Sequence, residues 1–224
     1  MDLVTAIVPM RHSSERVPGK NYRPLGGLPL YQHVVTTLLA TPGVGEVVID
    51  TDSETILEEA ARVFPSVTLV ERPAHLRDGH TPMNAVLEHS IGHAHYEAIL
   101  QTHSTNPFVR AETFEAAIRR FFDSEGIDSV FGATRIQGRL WTEDLTAVNH
   151  DPAVLARTQD LAPIYLENSC FYVFSKATLR DGGNRLGKSP AIVEVDALEA
   201  TDIDVETEFR LAEIIEASQL FGVR

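Results

Sequence analysis

The run Leu3-Val4-Thr5-Ala6-Ile7-Val8 is short, continuous and β-branched, without the polar–apolar alternation of a strand that faces water on one side. It reads as a strand buried on both faces of a parallel sheet, which confines the chain to folds with helices covering that sheet. The pattern of strand and helix continues downstream. A polar stretch with Gly and Pro over 11–29 precedes a helical pattern over 30–40, stopped by Thr41-Pro42-Gly43. Strands are expected over 46–50, 67–70, 98–101 and 129–133, and helices over 55–64 (with Ser53 as its cap), 82–91 and 111–122. Late strands over 171–174 and 192–195 and an amphipathic helix over 206–219 complete the pattern. Strand and helix alternating at short spacing predict a single α/β domain, a layered sandwich on a mostly parallel sheet with right-handed crossovers. Periodicity weakens over 135–162, around Trp141, and this stretch is expected to be an excursion, either a lid or a dimer arm.

A chain of 224 residues with 43% hydrophobic side chains can build one substantial core. Its formal charge of −13 argues against nucleic acid or an anionic membrane as partner, since most of the surface would repel either. The one cysteine, Cys170, excludes an intrachain disulfide and a Cys-rich zinc site. Met1-Asp2 leads straight into the apolar run, with no basic flank and too few apolar residues to span a bilayer. A soluble, uncleaved cytoplasmic protein is therefore expected.

Against that acidic background, the loop after the first strand reverses sign: residues 11–21 hold Arg11, Arg16 and Lys20 against Glu15 alone. Arginine grips phosphate oxygens with a planar fork, lysine serves as a point charge, and Ser13, Ser14 and loop N–H groups add donors. The loop leaves the carboxyl end of a buried strand, where open α/β sheets bind ligands. It has the glycine spacing of neither a Walker A loop nor a dinucleotide fingerprint. A solvated loop with scattered cations is the other reading.

Taken in order, the motifs resemble the acylneuraminate cytidylyltransferase family, whose opening loop A-R-x-x-S-K-G-x-P-x-K-N is matched at Arg11, Ser14, Pro18, Lys20 and Asn21. Asp50-Thr51-Asp52-Ser53, Arg72-Pro73-Ala74-His75-Leu76-Arg77-Asp78, Leu100-Gln101 followed by Pro107-Phe108-Val109-Arg110, Asn168-Ser169-Cys170-Phe171-Tyr172-Val173 and Asp202-Ile203-Asp204-Val205-Glu206 echo the family's later motifs in the same sequence order. Four features depart from the pattern: Glu15 and Arg16 replace Lys-Gly, the segment after Gln101 is longer, and Ser169-Cys170 replaces Gly-Ala.

The resemblance implies a Rossmann-like nucleotidyltransferase (GT-A-like) three-layer sandwich that moves CMP from CTP to a sialic-acid-like or other 3-deoxy sugar acid and releases pyrophosphate. It also implies Mg²⁺ on Asp202 and Asp204, and a homodimer. By the same resemblance Arg11, Ser14, Lys20, Asn21, Arg72 and Asp78 attend the nucleotide, with Arg11 and Lys20 steadying its triphosphate, while Gln101 and Asn168 face the acceptor. Arg110, Arg135, Arg139 and Arg157 are candidates for the acceptor's carboxylate. Other readings stay open: a phosphonate or other small acid as acceptor, a non-catalytic nucleotide-binding relative, or a glycosyltransferase using Asp50-Thr51-Asp52 as its metal motif. Asp204 or Thr201 could equally be a helix cap, His103 a general base, and His89 and His93 a solvated face.

Overall fold

The computed structural model describes residues 2–218. Its elements run β1 (Val4–Met10), a small hairpin β2 (Pro24–Leu25) and β3 (Leu28–Pro29), α1 (Leu30–Ala40), β4 (Val44–Thr51), α2 (Glu54–Val63) and β5 (Thr68–Glu71). Then follow α3 (Met83–Ser90), β6 (Ala98–Thr102), α4 (Ala111–Asp123), β7 (Ser129–Ile136), β8 (Ile164–Ser175), α5 (Lys176–Gly182), β9 (Pro190–Glu194) and α6 (Glu206–Ala217). Part of the expected last helix, Gln219, lies outside the described residues.

Seven strands form one sheet in the order β5-β4-β1-β6-β8-β7-β9. β1 pairs in parallel with both β4 and β6, and every residue from Val4 to Met10 is buried, which is why its sequence is continuously apolar. Only β8 runs against its neighbours, pairing antiparallel with β6 and with β7. The chain winds outward through β4 and β5 and then returns to the other side of β1 as β6. A crevice therefore opens at the carboxyl ends of β1 and β6, where the winding reverses.

One core layer joins α1, α2 and α4 to the sheet through Tyr31, Val34, Ile56, Ala60 and Phe114, and the opposite layer packs α3 and α5 through Leu87, Ile91 and Leu179. A third cluster, with Val17, Leu25, Phe108, Ile203 and Phe209, fastens the cationic loop and the hairpin to α6. This third cluster positions the site, because it brings residues near position 20 against residues near 204.

β8 is longer than its apolar centre suggests. Residues 164–167 pair with 133–136 of β7 as a two-stranded ribbon beyond the body of the sheet, carrying the excursion over 137–163. Along it Ala133 is still buried, but Arg135 and Tyr165-Leu166-Glu167 are exposed, and the apolar run ends. Among the described residues no helix is long and apolar enough to cross a membrane.

Candidate active site

A cavity of about 570 Å³ occupies the crevice, lined among others by Arg11, Ser14, Arg16, Lys20, His103, Arg185, Asp202 and Asp204. Its floor is built by the cationic loop. Gly19 adopts φ 67°, and a Cβ there would come within 2.7 Å of the Tyr22 ring, so the turn depends on glycine. The turn tucks Lys20 into a short 3₁₀ segment, Lys20–Tyr22, with its side chain only 10% exposed. Lys20 Nζ donates to the Ile203 carbonyl at 2.5 Å and lies 3.3 Å from Asp204 Oδ1. Asn21 closes the loop by donating to the Arg11 carbonyl at 2.7 Å and accepting from Ser104 Oγ at 2.7 Å.

Asp202 and Asp204 face this floor. The capping alternative for them is not what the fold uses: Val205 occupies the N-cap of α6, and Glu208 Oε2 reaches back to the N–H groups of Asp204 (2.6 Å) and Val205 (2.9 Å). Thr201 Oγ1 turns to the Leu198 carbonyl. Asp204 instead meets Arg16 at 3.1 Å as well as Lys20. Asp202 keeps a buried oxygen, Oδ1, with no partner. Burial raises its pKa above the ordinary carboxylate range, the Asp204 charge adds to that, and a hydrogen bond from Thr105 and the Lys20 charge oppose it.

An orphaned carboxylate oxygen beside a second carboxylate fits a hard divalent cation. Among the described residues no third His, Cys, Asp or Glu joins them as a metal-binding group.

On the far wall of the cavity, Arg185 is signalled by no motif. Arg185 lies in the loop after α5, with its guanidinium carbon 3.6 Å above the Tyr172 ring and Nη1 donating to Gln101 Oε1 at 2.7 Å. Because a guanidinium only donates, that bond fixes the Gln101 amide, whose Nε2 then donates to the Thr102 carbonyl (3.2 Å) and to His103 Nε2 (2.9 Å). His103 Nε2 must accept, so the ring proton sits on Nδ1. Burial, with the Arg185 and Lys20 charges adding, pulls His103 down to about 4, and it is neutral at pH 7. A ring whose free nitrogen already accepts a hydrogen bond is poorly placed to act as a base.

The cytidylyltransferase family model matches residues 5–220. The chain belongs to the cytidylyltransferase family. It is 26% identical over 217 residues to N-acylneuraminate cytidylyltransferase A of Danio rerio, covering 94% of this chain and 50% of that protein. It is also 26% identical over 187 residues to pseudaminic acid cytidylyltransferase of Campylobacter jejuni (serotype O:2), covering 78% of this chain and 80% of the relative. The chain thus spans about half the length of the fish relative. Among solved structures, CMP:2-keto-3-deoxy-manno-octonic acid synthetase complexed with CTP superposes with a TM-score of 0.73 at 16% identity, over 98% of this chain and 100% of the other, which establishes the shared fold.

Within this family framework, the structure gathers Arg11, Ser14, Lys20, Asn21, Arg72, Asp78, Asp202 and Asp204 at one cavity. Arg72 and Asp78, like Asn21, are tied to their own surroundings. Arg72 is 3% exposed and anchored to Asp50, and Asp78 orders its loop by accepting from the His80 N–H at 2.7 Å.

Gln101, Asn168, Arg110 and Arg157, the residues expected to meet the acceptor, are not among those lining the cavity. Gln101 is fully buried and holds Arg185 and His103. Asn168 pins the β7–β8 junction, donating to Thr134 Oγ1 at 3.1 Å and accepting from the Cys170 N–H at 3.2 Å. Arg110 pairs with Glu199 at 3.1 Å beside the start of α4, and Arg157 pairs with Asp160 at 2.7 Å in the excursion. Arg139 donates to the Ala156 carbonyl within the same excursion.

The possible metal motif Asp50-Thr51-Asp52 is likewise occupied. Asp50 is completely buried among Arg72, Ser90 and His89, and Asp52 accepts from the His12 N–H at 2.7 Å. His89 is therefore a partner of Asp50 rather than part of a solvated face.

Sequence reading misses Arg185, Arg16 as a partner of Asp204, and Thr105 as a partner of Asp202. The signal available for Arg185 is a cation within the glycine-rich stretch Gly182-Gly183-Asn184-Arg185-Leu186-Gly187.

Proposed function

We propose that this chain transfers the cytidylyl group of CTP to a hydroxyl of a small sugar acid. The acceptor oxygen bonds to the α-phosphorus, the bond from that phosphorus to the bridging oxygen breaks, pyrophosphate leaves, and the hydroxyl proton passes to solvent or a base. The observation that carries this reading is the union of Lys20, Asp202 with its unpartnered Oδ1, and Asp204 at the carboxyl ends of β1 and β6, in a chain of the cytidylyltransferase family.

Lys20 and Arg11 supply positive charge where the triphosphate would lie, and Lys20, held at two points, reaches it without reorganising. Asp202 and Asp204 would hold Mg²⁺. When bound, such an ion neutralises charge on the phosphate oxygens as pyrophosphate departs. The named substrates of the two curated relatives, N-acylneuraminate and pseudaminic acid, support a sugar acid as acceptor.

A homodimer through the β7–β8 ribbon belongs to the same proposal. It is supported by Leu145 (76% exposed), Leu155 (94%) and Leu166 (56%), apolar side chains left in water on that arm. Light scattering giving a monomer at micromolar concentration would contradict it.

The test of function is pyrophosphate release from each of the four nucleoside triphosphates, with Mg²⁺ and either N-acylneuraminate, pseudaminate or 3-deoxy-manno-octulosonate. Release with CTP, and only when an acid is present, is expected. CTP binding without release for any acid would overturn the proposal.

A further inference from the structure

Arg185 is an unusual arginine for an acidic chain. Its side chain is half-buried, burial lowers its pKa, and among the described residues its direct contacts are the Gln101 amide and Tyr172, whose ring it covers and whose hydroxyl is a further hydrogen-bond partner, rather than a carboxylate. Glu167 reaches it only through space and is itself engaged by the Tyr172 hydroxyl. A guanidinium taken partly out of water without a paired anion is unfavourable unless an anion arrives later.

The loop that carries it is fixed from several sides. Gly183 ends α5 with φ 64°, and its carbonyl accepts from Asn84 Nδ2 at 2.9 Å. Gly187 N–H donates to Ser129 Oγ at 3.0 Å, and the Asp128 carboxylate accepts from the N–H groups of Lys188 (2.7 Å) and Ser189 (3.0 Å). A Cβ on Gly187 would fall 2.3 Å from that carboxylate, so the close approach needs glycine. Gln101 and the Tyr172 ring then set the tilt of the guanidinium. Such a donor is organised before its ligand binds, and little side-chain entropy is left to lose.

Its location separates it from the triphosphate site. The cationic loop leaves β1, while Gln101 is on β6 and Tyr172 on β8, the next two strands across. At the usual strand spacing β1 and β8 lie roughly 10 Å apart. That is the reach of a small acceptor seated beside the α-phosphate, with His103 between the two ends.

Building on the transferase reading above, we infer that Arg185 is this chain's anchor for the acceptor's carboxylate, taking the place sequence analysis assigned to Arg110, Arg135, Arg139 or Arg157. With Nη1 held by Gln101 and the guanidinium also bonded to Tyr172, the N–H donors left over can present an edge to the two oxygens of a carboxylate. Gln101 is thereby a positioning residue, which explains how a fully buried glutamine could govern acceptor use without lining the cavity.

The experiment measures binding apart from turnover. Wild type, Arg185→Ala and Arg185→Lys are each loaded with Mg²⁺ and a CTP analogue whose α,β-bridge is a non-cleavable methylene. Each is then titrated calorimetrically with N-acylneuraminate, pseudaminate and 3-deoxy-manno-octulosonate, and with their carboxamides. At least one acid should bind wild type, and Arg185→Ala should weaken it about 30-fold or more, the usual scale for losing a charge-assisted pair. The alanine variant should no longer distinguish acid from carboxamide, and Arg185→Lys should recover part of the loss. Analogue affinity should stay within about twofold, since the charge-assisted contacts to the nucleotide are made elsewhere.

Unchanged acid affinity in Arg185→Ala would overturn the inference, as would a matching loss of analogue affinity, which would place Arg185 on the nucleotide. If an acid binds through Arg185 yet wild type releases no pyrophosphate from CTP, the transfer reading fails while the anchor stands. If no acid binds wild type, both fail.

Discussion

Asp50 and Asp202 both end in crowded surroundings near the carboxyl edge of the sheet, yet the fold treats them in opposite ways. Asp50, at the end of β4, is saturated: Arg72 Nε at 2.7 Å, Ser90 Oγ at 2.8 Å and His89 Nδ1 at 3.0 Å surround it, and none of its surface reaches solvent. Asp202 has a buried oxygen with no partner, a like charge nearby on Asp204, and a raised pKa. The first arrangement closes a polar group into the scaffold. The second leaves one unsatisfied in the wall of a cavity, as a binding site for a cation requires. Under the proposed reading, what separates the two carboxylates is whether the protein completes their hydrogen bonds.

Three substitutions probe that contrast, in order of decreasing effect. Asp202→Asn should lower pyrophosphate release on the order of 10³-fold or more, about 4 kcal/mol on the barrier, while leaving the fold intact. Steady-state rates alongside circular dichroism check it. Asp50→Ala should do the reverse, removing about 3 kcal/mol from folding stability by stranding Arg72 as a buried unpaired cation. A shift in the urea midpoint at unchanged slope would show this. Arg16→Ala, which breaks a pair whose side chains are 62% and 44% exposed, should change stability by no more than about 1 kcal/mol, since solvent screens such pairs. A larger loss would mean that Asp204, too, is a structural carboxylate.

The sequence is most legible where side chains answer to the backbone alone. The helix over 30–40 can be read at its true limits because Pro29 precedes it and Thr41-Pro42-Gly43 ends it, with Gly43 at φ 90° against Ile118. β1 is readable because burial on both faces leaves a continuous apolar run. β8 reads short because half of it leaves the core for the exposed ribbon, where apolar patterning has no packing to satisfy.

In the site, the loop from Arg11 to Asn21 is visible as a local reversal of charge, whereas the Asp202–Asp204 pair stands out only through the family resemblance, its spacing fitting a helix cap as well. Whether a particular arginine faces the cavity is not visible, because that depends on which partner captures it across the fold. Arg110 is captured by Glu199, 89 residues away, and does not line the cavity, whereas Arg185 meets an amide and Tyr172 and lines it. The Asp50-Thr51-Asp52 and Asp202-Ile203-Asp204 motifs have the same spacing, and only the tertiary fold saturates Asp50 and leaves Asp202 with an unpartnered oxygen.

The sign of the pH effect gives the contrast its sharpest consequence. A carboxyl whose pKa is raised by folding stabilises the native state only while protonated, so that contribution is present at low pH and lost as pH rises through its elevated folded value. At neutral pH the Asp202 charge should therefore oppose folding until a cation and nucleotide compensate it. The decisive measurement is the thermal midpoint of wild type and Asp202→Asn at neutral pH, each with and without Mg²⁺ and CTP together. The unliganded asparagine variant should melt at or above wild type, and wild type should gain clearly more from Mg²⁺ with CTP. Equal gains in the two proteins, or a variant that melts well below wild type without ligand, would contradict the assignment of Asp202 as a cation-binding carboxylate.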